Sequence, residues 1–353
     1  MYQLITDSIT GYEWYYLYII YEETDMKKTI LLIIFILSLF TISYSKSSDP
    51  LPSWNDTAVK KNIISYIENI TNTKSPDYIP EQDRIAVFDN DGTLWTEEPI
   101  IQLLFSFYKV NKMAETDKSL AATQPFKAIL NNDKKYLENM DENDLVKLVL
   151  KTQTGTDTIE FEKEVADFIY GTTYPKLNIP IYKTVYQPQI ELINYLKENK
   201  FKVYICSGGD INFMRAVSQK LYGISPENII GSYPKYSYNT EESKVIRGAE
   251  VVSNNDKAEK PANIELFIGK KPVIAVGNIG GGGDIYMLHY SQNGQNVNPE
   301  SKNYKTLQIL INHDDEKREF KYAEKDNISL NWAQKYKWNV VSMKNDWKQI
   351  FPR

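Results

Sequence analysis

Asp89-Asn90-Asp91-Gly92-Thr93 sets two carboxylates two residues apart, directly after the apolar run Ile85 to Phe88. Residues two apart on an extended chain project to the same side, so both acids meet at one strand end. Like charges that close resist joint ionisation unless a cation intervenes, and this divides their labour. One carboxylate, held against a metal, can attack phosphorus. The other can protonate the leaving oxygen and then activate water. Two competing readings exist for the same five residues. A solvated turn is one, since Asn, Asp and Gly are ordinary turn residues. A calcium loop is the other, but it needs Gly at its sixth position and Glu at its twelfth, where Leu94 and Ile100 stand.

Three further groups sit at comparable places. Ser207-Gly208-Gly209-Asp210 follows Phe201 to Cys206, and a hydroxyl with bare backbone ahead of a helix suits an anion. The alternative is a plain strand-to-helix turn that Ser207 or Asp210 caps. Lys260 precedes Pro261, a favoured first helical residue, which fixes the ammonium near a helix start as a point charge. Lys257 competes for that role. Gly277 and Asn278 lead through Gly280 to Gly283 into Asp284, where an oxygen ligand for a hard divalent cation is expected. Asp284 is the candidate, and it can also serve as a helix N-cap.

These groups need a scaffold that brings strand ends together. Apolar runs over 84–89, 201–206, 272–277 and 307–311, with 338–343 as an edge, read as buried strands. Apolar spacing predicts helices over 59–70, 189–199, 211–222, 261–268 and 284–290 between or beside them. The alternation predicts an α/β fold: a Rossmann-like, doubly wound, mostly parallel sheet whose ligands lie at the carboxyl ends of strands. Residues 99–180 break the rhythm with helical stretches at 100–110 and 133–151 and no convincing strand. We read a core domain over 46–98 and 181–353, with a helical cap inserted at 99–180.

In order, the chain carries an Asp pair, a Ser-Gly-Gly turn, a lysine and a terminal acid, and this order resembles the haloacid dehalogenase superfamily. The match covers Asp89-x-Asp91-Gly92-Thr93-Leu94, then Ser207, then Lys260, then the segment from Gly277 to Asp284. The phrases Phe88 to Trp95, Ser207-Gly208-Gly209 and Lys260-Pro261 look like the branch near phosphoserine phosphatases, with a helical cap after the first motif. The resemblance implies a magnesium-dependent phosphomonoesterase working through an aspartyl phosphate. In it, Asp89 is the nucleophile and Asp91 the acid/base. Thr93, Ser207 and Gly208 contact phosphate, with Lys260 stabilising the phosphoenzyme. Magnesium rests on Asp89, the Asp91 carbonyl and Asp284. The fourth motif departs from the pattern: Asn278 and Asp284 are six apart where four or five is usual, so Asn278 stays a possible ligand. A phosphotransferase on the same scaffold, and a non-catalytic exported binding protein, are the alternatives. The expected partner is a small phosphomonoester.

Composition bounds the rest. Lys and Arg total 41 against 46 Asp and Glu, a formal charge of -5, with no basic block to follow a nucleic-acid backbone. Met26-Lys27-Lys28 before the apolar run 29–42 and the small-residue exit Ser43-Tyr44-Ser45 reads as a signal peptide over 26–45. It predicts a periplasmic or secreted protein without stable membrane insertion, an uncleaved anchor being the lesser alternative. Residues 1–25 read as a non-native extension. Cys206 is the lone cysteine and is expected to pack as a small hydrophobe. His289 is expected on a helix face and His313 in a surface turn, with 313–319 a solvated charge run. Glu97 and Glu98 fit either a substrate contact or a charged helix start.

Overall fold

Alternation along the strands explains the layers of the molecule. In β1 (Ile85–Phe88) all four residues are buried. Ala86 and Phe88 join one apolar cluster, whereas Val87 joins another. The same split separates Ile274 and Val276 from Ala275, and Ile309 and Ile311 from Leu310. Side chains of a strand alternate between sheet faces, so these clusters are two cores on opposite faces of one sheet. The computed structural model describes residues 49–280, 282–292 and 303–353. The expected leader and N-terminal extension lie outside them. No helix among the described residues is long and apolar enough to cross a membrane.

The first helix, α1 (Ala58–Thr71), buries Ile63, Ile67 and Ile70 at helical spacing. Between β1 and the next strand of the main sheet come α2 (Ile101–Met113), α3 (Phe126–Leu130), α4 (Lys134–Leu137), α5 (Glu142–Gln153) and α6 (Thr158–Gly171). The stretch 133–151, read as one helix, is two. Asp133 caps α4 by accepting from the Tyr136 N–H, and Asp141 caps α5 through the Asp144 N–H, so each aspartate starts a helix of its own. A two-residue ladder, β2 (Thr173–Tyr174) with β3 (Ile179–Pro180), corrects the expectation of no strand in this region.

The main sheet continues with β4 (Lys202–Asp210) after α7 (Gln187–Glu198). Then follow α8 (Ile211–Tyr222), β5 (Ile229–Asn239), β6 (Lys244–Ser253), α9 (Glu259–Ile268), β7 (Ile274–Asn278) and α10 (Ile285–Gln292). The chain closes with β8 (Leu307–Asn312), α11 (Ile328–Tyr336), β9 (Asn339–Ser342) and α12 (Met343–Asp346). The seven strands run in the order β6-β5-β4-β1-β7-β8-β9. Every pairing is parallel except β5 with β6. The sheet is therefore the doubly wound α/β fold expected from the alternation of strands and helices. The β5–β6 hairpin is new. Its outer halves are largely exposed and mix Pro, Lys, Ser and Tyr, so no apolar run announces them.

Residues Leu51–Arg353 form one compact unit, and Arg318 ties its C-terminal end. Its guanidinium pairs with buried Asp315 and donates to the carbonyls of Met343 (2.7 Å), Trp347 (2.9 Å), Lys348 (3.2 Å) and Lys344 (3.3 Å). Arg318→Ala leaves these acceptors short of donors, and we expect a loss of about 2–3 kcal/mol in unfolding free energy. Urea melts read it directly; a loss within about 0.5 kcal/mol, the scatter of neutral surface changes, would contradict it.

Candidate active site

The central strand β1 and its two parallel neighbours, β4 and β7, end at one cavity of about 340 Å³. Asp89, Asp91, Ser207, Gly208, Lys260, Asn278 and Asp284 all line it. Seven of the eight residues singled out from sequence are thus brought together. Thr93 is the exception. It is fully buried and does not line the cavity, and its hydroxyl donates to Asp89 Oδ2 at 3.3 Å, so it bears on the acid instead of on the open space.

Asp89 continues β1, its N–H donating to the Val276 carbonyl at 2.9 Å. Lys260, on the first turn of α9, places Nζ 2.7 Å from Asp89 Oδ1 and also against Asp284 Oδ1. All three side chains are buried. Burial, reinforced by Asp284, holds the Asp89 carboxyl well above the usual carboxylate range, although Lys260 pulls the other way. Asp91 is likewise raised by burial, which the Trp95 indole N–H donated to Oδ1 at 2.7 Å opposes. For Lys260, burial works against the charge, but Asp284 and Asp89 outweigh it and keep the ammonium protonated. Lys257, the competing lysine, is exposed and does not line the cavity.

The loop after Asp89 is a tight turn. The N–H groups of Thr93, Leu94 and Trp95 all point to the Asn90 carbonyl, and the Gly92 N–H donates to the Trp95 carbonyl at 2.9 Å. Gly92 has φ +70°, and a Cβ there would lie 2.0 Å from Asn278 Nδ2. Conformation and space both require glycine.

The anion loop is held from behind. Asn255, fully buried and unforeseen from sequence, donates to the Ser207 carbonyl at 2.8 Å and is itself fixed by Asn263 at 2.9 Å. The Gly209 N–H donates to Ser207 Oγ at 3.1 Å. Gln102, from α2, accepts the Asp210 N–H at 2.9 Å and brings the helical insertion to the cavity. Asp210 also caps α8 and pairs with buried Arg247 at 2.6 Å. Cys206 beside the loop is buried, and burial pushes its thiol up to about 12.

The long fourth motif reaches the same place by a turn. Gly283 N–H donates to the Gly280 carbonyl at 3.3 Å and Gly282 takes φ +68°. The chain then delivers Asp284 under β7, where Oδ2 accepts the Asn278 N–H at 2.9 Å. A Cβ on Gly277 would lie 2.5 Å from the Asp284 Cβ, so the bare strand end makes room for this acid. The Asn278 side chain turns from Asp284 to another wall of the cavity: its amide donates to Glu97 at 2.7 Å and to the Tyr322 hydroxyl at 3.1 Å. Glu97 lines the cavity, and burial raises its carboxyl to about 7.

His313 and its neighbours correct the sequence reading. The imidazole is fully buried, Asp315 and Glu319 nearly so, and only Glu316 and Lys317 of the run are exposed, so it is solvated only in its middle. His313 and Glu319 meet partners far away in sequence, Gly92 for the first and Thr96 and Tyr186 for the second, whereas Asp315 is held locally by Arg318. His289 packs on α11, its ring 4.7 Å from Tyr336 and 5.4 Å from Trp332.

Among the described residues, no three or more His, Cys, Asp or Glu side chains form a metal cage. The carboxylates of Asp89 and Asp284 are bridged by one ammonium. Such a set suits a cation that takes one or two carboxylates and fills its remaining sites with neutral oxygens and water.

A family model described as haloacid dehalogenase-like hydrolase matches residues 84–278, more than half of the chain. Among solved structures, the chain is similar to a conserved protein of unknown function from Anaerococcus prevotii. The identity is 14% and the TM-score 0.53, over 84% of this chain and 94% of that one. A protein of unknown function from Bordetella pertussis is 12% identical with TM-score 0.45, covering 73% and 97%. A phosphoserine phosphohydrolase-like protein from Francisella tularensis is 16% identical with TM-score 0.37, covering 73% and 94%. No curated protein matches. With the matched span running from the start of β1 to the end of β7, and so through the strand ends that hold Asp89, Ser207 and Asn278, the chain belongs to the haloacid dehalogenase-like hydrolases.

Proposed function

We propose that this hydrolase is a phosphatase of small phosphomonoesters, with Asp89 as nucleophile and Asp91 as acid/base. The carrying observation is the convergence of two acids, a hydroxyl loop and a buried lysine on one cavity. Asp89 attacks phosphorus as the ester P–O bond breaks, and Asp91 gives its proton to the departing alkoxide. Water then attacks the acyl phosphate, its proton passing to Asp91, and Asp89 leaves with its electron pair restored. Burial raises the Asp91 carboxyl, a shift in the direction the acid role needs. Thr93 orients Asp89, while the Ser207 and Gly208 loop and Lys260 meet the phosphoryl oxygens.

Magnesium fits the donor set: Asp89 and Asp284 would hold it with the Asp91 carbonyl, and Asn278, its amide turned to Glu97 and Tyr322, is the weaker candidate. When bound, it supplies positive charge to the phosphoryl oxygens. The helices of 99–180 form the cap in this reading, and the leader over 26–45 places the reaction outside the cytoplasm.

The rest of the lining points to the leaving group. Glu97 and Asp256 add two acids, and Lys260, already bridging two carboxylates, is the sole basic side chain in the lining. A carboxylate on the substrate finds no cation there beyond Lys260, whereas a neutral or cationic alcohol meets no such charge conflict. O-phosphoethanolamine and O-phosphoserine differ only by that carboxylate. We expect kcat/KM for the first to be higher by about 10- to 100-fold. Equal values would remove the charge argument, and no phosphate released from any phosphomonoester in a broad panel would remove the phosphatase reading.

A further inference from the structure

The loop that carries Asp91 is gripped from outside the four motifs. β8 ends at Asn312, and the next residue, His313, points its Nε2 at the Gly92 carbonyl over 2.7 Å. A carbonyl only accepts, so Nε2 carries the proton. The ring is fixed on its other sides. Nδ1 lies 3.2 Å from Glu319 Oε2, and the Tyr322 ring stacks on it at 4.2 Å between centroids. Glu319 is anchored in turn. It accepts from Thr96 at 2.6 Å, Tyr186 at 2.9 Å and the Phe320 N–H at 2.6 Å. Each of these side chains but Tyr322 is fully or almost fully buried.

Gly92 is where such a grip matters. Lacking a side chain and holding φ +70°, it owes its conformation to what bonds its peptide groups. The Trp95 carbonyl holds one of them and His313 the other. Asp91 lies on one side of this glycine and Thr93, which bears on Asp89, on the other. We propose that His313, oriented by Glu319, is a positioning residue: its Nε2–H holds the Gly92 carbonyl so that Asp91 and Thr93 keep their bearing on Asp89. The assignment rests on the acid/base reading of Asp91. A misplacement of about 1 Å in such a group costs on the order of 100-fold in rate.

Two amide variants in the full chain separate positioning from mere stability. His313→Gln places an N–H near the position of Nε2, whereas His313→Asn is too short to reach Gly92. With p-nitrophenyl phosphate we expect kcat of the Asn variant to fall about 10- to 100-fold. KM should stay within about threefold, and the Gln variant should recover most of the rate. Equal kcat in the two variants overturns the proposal. So does a loss that only follows the folded fraction in thermal melts, including failure of both variants to fold. Asp89→Asn is assayed beside them: if it keeps turnover, the nucleophile reading fails, whatever the histidine variants show.

Discussion

Asp89→Asn is expected to lose phosphate release by at least about 10⁴-fold while the protein stays folded. Asparagine keeps the shape of the side chain and can still accept from Thr93, but an amide is no nucleophile toward phosphorus. The stability side of the same variant has a sign of its own. Burial and Asp284 raise the Asp89 carboxyl above its ordinary value. A group raised in the folded state favours folding below its unfolded pKa, and that contribution is lost as pH rises through the folded value. Above the ordinary carboxylate range the acid therefore weighs against the fold, and asparagine removes that contribution. The variant should melt at or above the wild-type temperature near pH 7, the gap closing as pH falls into the ordinary carboxylate range. Turnover within about tenfold of wild type would remove Asp89 from the chemistry. A melting temperature well below wild type at pH 7 would show that Lys260 outweighs burial and Asp284 together.

Chelation is the second large effect. Treatment with EDTA should silence turnover, and added magnesium should restore it. The reason is charge: Asp89 and Asp284 share one ammonium in a buried cavity, and a second cation relieves their repulsion. Binding to the folded state alone also adds stability, about 2.7 kcal/mol at a hundredfold excess over Kd. That corresponds to a rise in melting temperature of roughly 3–6 °C for a chain of this size. The rise should shrink as pH falls and the carboxyls protonate, because protons compete for the same oxygens. Asp284→Asn should lose most of it. Full activity in EDTA, or a magnesium shift as large in Asp284→Asn as in the wild type, would rule out this ligand set.

Strand ends and their loops were readable because their signals are local. The run Ile85 to Phe88 is apolar throughout since β1 is covered on both faces, and Asp89 and Asp91 follow at once. Ser207 and Lys260 were readable for the same reason, each beside the element that carries it. The β5–β6 hairpin was not, because a half-exposed antiparallel edge needs no apolar run, and its register is set by a partner strand. The break between α4 and α5 was readable in principle from Asp133 and Asp141, which suit helix starts.

His313 shows the other limit. Beside Asp314, Asp315, Glu316, Lys317 and Arg318 it reads as part of a wet surface, yet its partners Gly92, Glu319 and Tyr322 include one that lies 221 residues away. Whether a charged residue is buried depends on who meets it, and that is a property of packing. Asp284 is similar: its type was legible, but only the turn that the Gly283 N–H closes on the Gly280 carbonyl decided that it arrives against Lys260 despite a spacing of six. Residue types, their order and the alternation of strand and helix were the sequence's own determinations, since each is written over a few neighbouring positions. The tertiary structure alone decided which buried charges are paired, which loops bring their carboxylates to one cavity, and what holds the Gly92 turn, because those energies arise between segments far apart in the chain.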